Sequence, residues 1–167
     1  IAEAFAPLNP LICYSIKSLA NLNVLKVLAE EGSGFDVVSG GEAARAQAVG
    51  ADMSKVVYAG VGKTDREINE TIAAGVGIFN VESEQEFENL SRLAGLAGKS
   101  VRAALRVNPD VDPKTHRYTT TGKKETKFGV DIERAERFFE TYGHDENVRL
   151  DAIHLHIGSP IYSPQPY

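Results

Sequence analysis

Short β-rich runs alternate with helical patterns from one end of the chain to the other, and this alternation restricts the possible folds more than any other feature of the sequence. β-branched and aromatic residues are frequent in the runs that we predict as strands, and apolar residues recur at helical spacing between them. The predicted strands cover residues 11–16, 35–39, 55–60, 77–83, 101–108 and 150–158. The predicted helices cover residues 21–30, 41–49, 65–74, 84–94 and 132–142.

Three of the predicted helices begin with the same chemical signature, the capping box, in which a hydroxyl and a carboxylate three residues later satisfy free backbone amides. The pairs that match it are Ser39 with Glu42, Thr64 with Glu67, and Ser83 with Glu86. A strand followed at once by a helix and another strand forms a right-handed crossover between parallel strands. We therefore predict an α/β fold in which the strand carboxyl ends meet at one rim.

Two α/β architectures fit this pattern, a doubly wound open sheet and a (β/α)8 TIM barrel. The strands recur at short intervals, and no G-x-G-x-x-G fingerprint follows the first of them, which favours the barrel. A complete barrel has eight strands in roughly 250 residues, whereas about six strands are predicted in these 167 residues. We therefore expect residues 1–167 to be the N-terminal part of a barrel whose remaining strands lie beyond Tyr167.

The charge balance argues against a nucleic-acid partner, because 18 lysines and arginines stand against 23 aspartates and glutamates, with a net charge of −5. No apolar run approaches the roughly 18 residues of a membrane-spanning helix, and no secretory signal begins the chain. The single cysteine, Cys13, allows no internal disulfide and reads as a packed structural thiol. These features predict a cytoplasmic protein without a membrane partner.

One segment interrupts the alternation. Residues 108–131 are long, polar, rich in threonine and lysine, and without a clear period. Because this segment follows a predicted strand, we expect a long loop at the rim, where long loops are often functional.

Lys17 ends an apolar run that otherwise reads as a buried strand. Strand alternation places Lys17 on one face with Cys13 and Ser15, and Ile16 on the other. If the isoleucine face packs against the helices, Lys17 points into the barrel at the rim, where it could form a Schiff base. The alternative is a lysine whose amine simply reaches solvent at the strand end.

Two histidines share a face of the last predicted strand. His154 and His156 would face the barrel interior, with His156 nearer the rim. They could be satisfied core residues, flat rings that stack on an aromatic cofactor, or a metal pair with Asp36 as a further ligand. Gly158 and Ser159 follow directly and offer donors that suit an oxyanion or a phosphate.

Arg106 shares a strand face with Arg102, Ala104 and Asn108, and if this face points inward, Arg106 brings a fixed cation close to Lys17 and Asp36. An inward arginine is costly unless it is paired, and Asp36 is either its structural partner or a residue that supports the site. The glycines after Ser39 resemble a phosphate cradle, but the capping box already accounts for Ser39 and Glu42.

Taken together, these residues resemble the fold-type III pyridoxal-phosphate decarboxylases over essentially the whole chain and in the same order. "CYSIKS" is similar to the family's Tyr-Ala-x-Lys-Ala-Asn motif, "FDVVSGGE" to its Asp-Val-Val-Ser-x-Gly-Glu, and "HLHIGS" to its His-Ile-Gly-Ser. "YAGVGKTDREI" and "FNVESEQEFENL" also follow family blocks. The most specific part, "NPDVDPKTHRYTTTG" with "KFG" after it, resembles the branch that acts on diaminopimelate. Ser18, Leu19 and Pro160 depart from the usual motifs.

The resemblance implies a TIM barrel of the alanine-racemase type that binds pyridoxal 5′-phosphate, with a C-terminal β-domain beyond this chain. It implies that Lys17 forms the Schiff base with the cofactor and that His156 stacks on the pyridine ring. It also implies that Ser159 lies near the cofactor phosphate and that Asp36 and Arg106 line the site. The expected reaction is decarboxylation of meso-diaminopimelate to L-lysine and carbon dioxide, by a homodimer with shared active sites.

Other readings stay open. The same chemistry could act on ornithine, arginine or carboxynorspermidine, or the chain could belong to a non-catalytic protein that binds pyridoxal phosphate. A metal hydrolase that uses His154 and His156 is a further possibility.

Overall fold

The computed structural model describes residues 2–111 and 128–166, in which strands and helices alternate as predicted. The strands are β1 (Cys13–Ser15), β2 (Gly34–Val37), β3 (Val56–Tyr58), β4 (Ile78–Val81), β5 (Val101–Asn108), β6 (Val130–Asp131) and β7 (Val148–His154). The helices are α1 (Ala2–Phe5), α2 (Leu22–Glu30), α3 (Gly40–Ala48), α4 (Asp65–Ala74), α5 (Glu84–Leu96) and α6 (Ile132–Tyr142).

The strands form one parallel sheet in the order β1, β2, β3, β4, β5, with β7 and the short β6 both paired to β5. The six predicted strands correspond to β1 to β5 and β7, and the five predicted helices correspond to α2 to α6. The predicted fold class, a parallel β/α barrel present in part, is confirmed. In residues 2–111 and 128–166 the sheet does not close, because β1 and β7 lie at its two edges.

The two faces of the sheet have different chemistry. Phe35, Phe79 and Leu105 are fully buried on the face that packs against the helices. Asp36 and Arg106 belong to the opposite, inner face, as strand alternation requires. Because the strands are parallel and in register, polar side chains near their carboxyl ends are brought to one rim.

A β-bulge at Asp151 determines which way the end of β7 faces. The strand pairs with β5 on both sides of Asp151, which is left as an extra residue between Leu150 and Ala152. A bulge shifts the alternation of side chains by one residue. Leu150 is therefore buried in the core beside the helices, whereas His154 pairs with Arg106 on the inner face.

The predicted hydroxyl caps Ser39, Thr64 and Ser83 are confirmed at α3, α4 and α5, but of these three helices only α4 has the full capping box, and at α3 Glu42 Oε2 accepts from Val38 N. At α4 the capping box is reciprocal: Thr64 N donates to Glu67 Oε2 at 3.0 Å, and Glu67 N donates to Thr64 Oγ1 at 3.3 Å. At α5 Ser83 Oγ accepts from Glu86 N, but Glu86 Oε2 accepts from Glu82 N rather than from the amide of Ser83. The carboxylate thus ties the end of the preceding strand to the helix.

The long polar segment predicted over residues 108–131 lies mostly outside the described residues, which stop at 111 and resume at 128. Its two described ends belong to β5, which extends to Asn108, and to β6, which the sequence did not predict. None of the helices that the structure describes combines the length and the apolarity needed to cross a membrane.

Candidate functional site

Polar side chains from four separate strand ends converge at the carboxyl rim of the sheet. Lys17 follows β1, Asp36 lies in β2, Arg106 in β5, and His156 follows β7. Each of the four residues therefore lies at or near the carboxyl end of its strand, and the charges of Lys17, Asp36 and Arg106 all influence the pKa of His156. The structure therefore brings together four of the five site residues that the sequence predicted.

Lys17 lies at this rim in a 3₁₀ turn and not in a strand, so strand alternation does not determine its direction. The predicted strand 11–16 is shorter in the structure, because β1 ends at Ser15 and a 3₁₀ turn over Ile16–Ser18 follows. Ile16 is fully buried in this turn, whereas Lys17 is exposed. Lys17 therefore lies just beyond the carboxyl end of β1, and its positive charge lowers the pKa of His156.

Asp36 is held by a neighbouring hydroxyl and not by Arg106. Ser15 Oγ donates to Asp36 Oδ2 at 2.5 Å, and the two residues are opposite each other in the register of β1 and β2. A charged acceptor makes such a hydrogen bond short and strong. The carboxylate is thereby fixed at the inner face, about level with the end of β1.

Arg106 pairs with Glu82, a residue that the sequence reading did not select. Its Nη1 lies 2.9 Å from Glu82 Oε1, and the side chains are 9% and 4% exposed. The guanidinium also lies over the ring of Phe128, with Cζ 4.7 Å from the centroid. The predicted alternative, a structural pair between Arg106 and Asp36, is therefore wrong. The sequence offered one signal for Glu82. It lies two residues after Asn80, so strand alternation places both polar side chains on the same face at the end of β4.

Burial and nearby cations keep both histidines neutral. Desolvation, reinforced by Arg106, lowers the pKa of His154 from 6.5 to about 4. Desolvation, Arg106 and Lys17 lower the pKa of His156, against the opposing effect of Asp36 and Glu82. The Nδ1 atom of His154 is buried and has no hydrogen-bond partner among the residues that the structure describes. Two flat, uncharged rings thus face the inner side of the rim.

The remaining predicted residues are exposed or already engaged. Ser159 is exposed beyond β7, next to the buried Gly158. The amide of Gly40 donates to Glu67 Oε1 at 2.8 Å, so this glycine is not free to cradle a phosphate. Within residues 2–111 and 128–166, no group of three or more His, Cys, Asp and Glu side chains is arranged to hold a metal ion.

A buried lysine near the rim was also missed. Lys63 Nζ donates to Gly60 O at 2.7 Å, to Asn80 O at 2.8 Å and to Glu86 Oε1 at 2.6 Å. Its side chain is 3% exposed. Nothing in the sequence around it distinguishes it from a surface lysine, because all its partners are distant in the chain or lie on the backbone.

The chain is similar to a known protein family along its whole length. The model of the family "Pyridoxal-dependent decarboxylase, pyridoxal binding domain" matches residues 1–167. Diaminopimelate decarboxylase from Aquifex aeolicus is 48% identical over 167 residues, which are 99% of this chain and 40% of that protein. The chain thus spans about 40% of the length of the curated relatives that it matches.

Solved structures agree. The crystal structure of diaminopimelate decarboxylase from Helicobacter pylori complexed with L-lysine superposes with a TM-score of 0.90 at 38% identity, over 93% of this chain and 40% of that one. An arginine decarboxylase from Paramecium bursaria Chlorella virus shares the fold, with a TM-score of 0.81 at 21% identity over 98% of this chain and 42% of that chain. Matched along its whole length, this chain belongs to the pyridoxal binding domain family of the pyridoxal-dependent decarboxylases.

Proposed function

We propose that the protein containing this chain decarboxylates meso-diaminopimelate to L-lysine and carbon dioxide, and that this chain supplies one part of its active site. Support comes from relatives named diaminopimelate decarboxylase, 40% to 48% identical over nearly the whole chain. The Helicobacter pylori relative was crystallised with L-lysine, which is the product expected of this reaction.

The observation that carries the proposal is the meeting of Lys17 and His156 at one rim. A primary amine just after β1 and an aromatic ring just after β7, at the same carboxyl rim of the sheet, are the groups that an aldehyde-bearing aromatic cofactor requires. The Nδ1 of His154, buried and without a hydrogen-bond partner among residues 2–111 and 128–166, is a further polar atom on the same face. These residues fit pyridoxal 5′-phosphate, which is the cofactor of the family.

When bound, pyridoxal phosphate supplies an aldehyde carbon that condenses with amines and a ring that accepts the electron pair left as carbon dioxide departs. In this proposal Lys17 would hold that aldehyde carbon through its Nζ. His156 would lie flat against the ring, and its neutral state brings no added positive charge to that face.

The other rim residues would orient these two groups. Asp36, fixed by the hydroxyl of Ser15, would hold its negative charge at the inner face near Lys17. Arg106 would stand beside the histidines and keep them unprotonated. Ser159, exposed just beyond β7, is proposed as a donor to the cofactor phosphate.

The test is reduction of the full-length protein with borohydride after incubation with pyridoxal phosphate, followed by peptide mass mapping. We expect a pyridoxyl-phosphate adduct on Lys17 and its loss in Lys17→Arg. The matched control is Lys26→Arg, because Lys26 is an exposed lysine of α2 whose ion pair with Glu30 is 4.0 Å long. A folded protein without an adduct on Lys17 would remove the proposal.

Substrate choice needs a separate measurement. Carbon dioxide release should be measured with diaminopimelate, ornithine, arginine and carboxynorspermidine as substrates. Release from diaminopimelate at the highest kcat/KM supports the proposal, and release from another of the four moves the protein to another branch of the same family. An adduct on Lys17 without release from any substrate supports a non-catalytic protein that binds the cofactor.

The assembly and the location belong to the same proposal. We infer a homodimer with shared active sites, to be tested by light scattering and by mixing two inactive variants. A cytoplasmic location accords with the free thiol of Cys13. Remaining barrel strands and a β-domain outside this chain stay a prediction, to which the 40% coverage of the relatives lends support.

A further inference from the structure

Glu82 connects three segments of the rim through a single carboxylate. It follows β4 directly and is 7% exposed. Its Oε1 accepts from Arg106 Nη1 at 2.9 Å, and its Oε2 accepts from the amide of Gly129 at 3.1 Å. Gly129 lies just before β6, on the far side of the segment that follows β5. One side chain therefore joins the end of β4, the inner face of β5 and the start of β6.

The backbone of Glu82 is fixed as well. Its amide donates to Glu86 Oε2 at 2.8 Å, and Lys63 Nζ lies 2.6 Å from the other oxygen of that carboxylate. Lys63 also donates to the carbonyl of Asn80, two residues before Glu82. These hydrogen bonds restrict the movement of Glu82. Its carboxylate can therefore fix the positions of the Arg106 guanidinium and the Gly129 amide.

Gly129 meets Glu82 and Arg106 at a point where only glycine fits. Its φ is +73°, and a Cβ added there would lie 2.7 Å from the carbonyl oxygen of Arg106. The absence of a side chain lets the amide of Gly129 approach both the backbone of β5 and the carboxylate. The contact is thus built into the backbone path and does not depend on a flexible side chain.

The buried pair is poorly explained by stability alone. The cost of removing two charges from water commonly offsets their attraction. Apolar residues of equal volume therefore often stabilise a fold as much as a buried ion pair does. What the pair does supply is a cation at a fixed place on the inner face, opposite His154 in the register of β5 and β7. Arg106 lowers the pKa of both His154 and His156, and Glu82 acts in the opposite direction on both.

We propose that Glu82 is a positioning residue of the active site: its carboxylate holds the Arg106 guanidinium beside His154 and His156 and anchors the backbone at Gly129. The proposal rests on the proposed function, because it assigns a role in that same site. Glu82 does not touch the reacting groups itself and acts through Arg106.

The test uses Glu82→Gln in the full-length protein without added cofactor. Glutamine has a similar volume but no charge and only one acceptor oxygen, so it cannot serve both Arg106 and Gly129. The readouts are the titration of 13C-labelled histidine rings by NMR and hydrogen exchange at the Gly129 amide. The charged groups that act on His156 are Arg106 from β5, Lys17 after β1, Asp36 from β2 and Glu82 after β4, and His156 itself acts on His154 of β7.

We expect the His156 titration to move to lower pH in Glu82→Gln, because the cation of Arg106 loses its compensating charge. We expect exchange at Gly129 to become roughly tenfold faster where its hydrogen bond is lost. The control is Glu84→Gln, which removes an ion pair with Arg134 on the exposed side of the same helix start. Titration and exchange equal to those of the control would overturn the proposal.

A second variant, Glu82→Asp, separates the effect of the carboxylate charge from the effect of side-chain length. Glu82→Asp keeps the charge but shortens the side chain, so we expect a His156 titration near that of the unaltered protein together with faster exchange at Gly129. Loss of the folded state in both variants would assign Glu82 a structural role and overturn the positioning role. None of these readouts requires the Lys17 adduct, so failure here and failure of the proposed function are distinguishable.

Discussion

Arg106 and His154 stand directly opposite each other in the register of the parallel strands β5 and β7. Both side chains belong to the inner face, where burial and the guanidinium together lower the histidine pKa to about 4. At neutral pH the cation is therefore flanked by a neutral ring. A rim built this way presents a fixed positive charge on one strand and an uncharged acceptor on the next.

The depressed pKa of His154 predicts a specific loss of stability in acid. Above its ordinary value of 6.5 the imidazole is neutral in both the folded and the unfolded chain. Between 6.5 and about 4 the unfolded chain takes up a proton that the folded chain does not, so stability falls as the pH falls. We expect this group to contribute a loss of about 3 kcal/mol in the free energy of unfolding from pH 7 to pH 4.

The measurement is urea unfolding at several pH values for the unaltered protein and for His154→Asn. The variant should show a smaller loss of stability between pH 7 and pH 4. The control is His144→Asn, because His144 is an exposed residue in the turn after α6. An acid-stability profile for His154→Asn that follows the unaltered protein would contradict the prediction.

Lys63 provides a test of the buried ion pair beneath the rim. Lys63→Met would remove three hydrogen bonds and leave the carboxylate of Glu86 buried without its cation. We expect a loss of about 3–5 kcal/mol in the free energy of unfolding, as for other broken buried pairs. Urea unfolding at neutral pH measures it.

A matched lysine on the surface gives the comparison. Lys26 and Glu30 form an exposed pair on α2, with both side chains 64% exposed. Lys26→Met should cost at most about 0.5 kcal/mol, because exposed pairs are weak. Equal losses for the two variants would show that burial does not govern the contribution of Lys63.

Much of the fold follows from local patterns in the sequence. The bounds of α4 and α6 were predicted to the residue, because Thr64 and Asp131 cap them and apolar residues recur at helical spacing. His154 was placed on the inner face by strand alternation alone, and the structure has it opposite Arg106 on that face. These assignments depend on neighbours within a few residues, which a sequence displays directly.

What the sequence did not reveal depends on distant partners. Glu82 and Lys63 gain their roles from residues 24 and 23 positions away, respectively. Lys17 was placed at the rim, but through a strand that ends one residue earlier than predicted. The sequence also gives no sign of the bulge at Asp151, because the alternation from Ala152 onward looks regular. The extra residue is seen only in the pairing of β7 with β5.

Glu67 links the starts of two neighbouring helices, and its removal should be costly. Its carboxylate accepts from the amide of Gly40 at 2.8 Å and from the amide and hydroxyl of Thr64 at 3.0 and 2.8 Å. These bonds, led by that from Gly40, lower the pKa of Glu67. We expect Glu67→Gln to lose about 1–2 kcal/mol of unfolding free energy at pH 7.

The same hydrogen bonds predict how the effect of Glu67→Gln changes with pH. A carboxylate whose folded pKa is lowered stabilises the fold above its unfolded pKa, and this contribution disappears as the pH falls through the folded value. The difference between Glu67→Gln and the unaltered protein should therefore shrink in acid. Glu70→Gln is the control, because Glu70 is exposed on the same helix and should have a smaller effect. A difference that stays constant with pH would contradict the assigned contacts.

A comparison of Gly129 with Gly32 separates two effects of an added Cβ: the steric clash with Arg106 and the strain of a left-handed backbone. Both Gly129 and Gly32 have left-handed φ values, +73° and +82°, so alanine is strained at either position. At Gly32 an added Cβ meets nothing within 4 Å, whereas at Gly129 it would lie 2.7 Å from the carbonyl oxygen of Arg106. Strain alone should cost about 1 kcal/mol at each position. We expect Gly129→Ala to lose roughly 1–3 kcal/mol more than Gly32→Ala, because overpacking adds to the strain.

The additional loss at Gly129 should have a local signature. Displacement of the backbone would pull its amide from Glu82 Oε2, now 3.1 Å away, and disturb the pair with Arg106. The histidine titrations should therefore change in Gly129→Ala and stay unchanged in Gly32→Ala. Urea unfolding gives the energies, and NMR of labelled histidine rings gives the titrations. If both variants lose the same stability and leave the titrations unchanged, the start of β6 is not coupled to the rim. If only Gly129→Ala shifts them, the path from Gly129 through Glu82 and Arg106 to the imidazoles carries the effect.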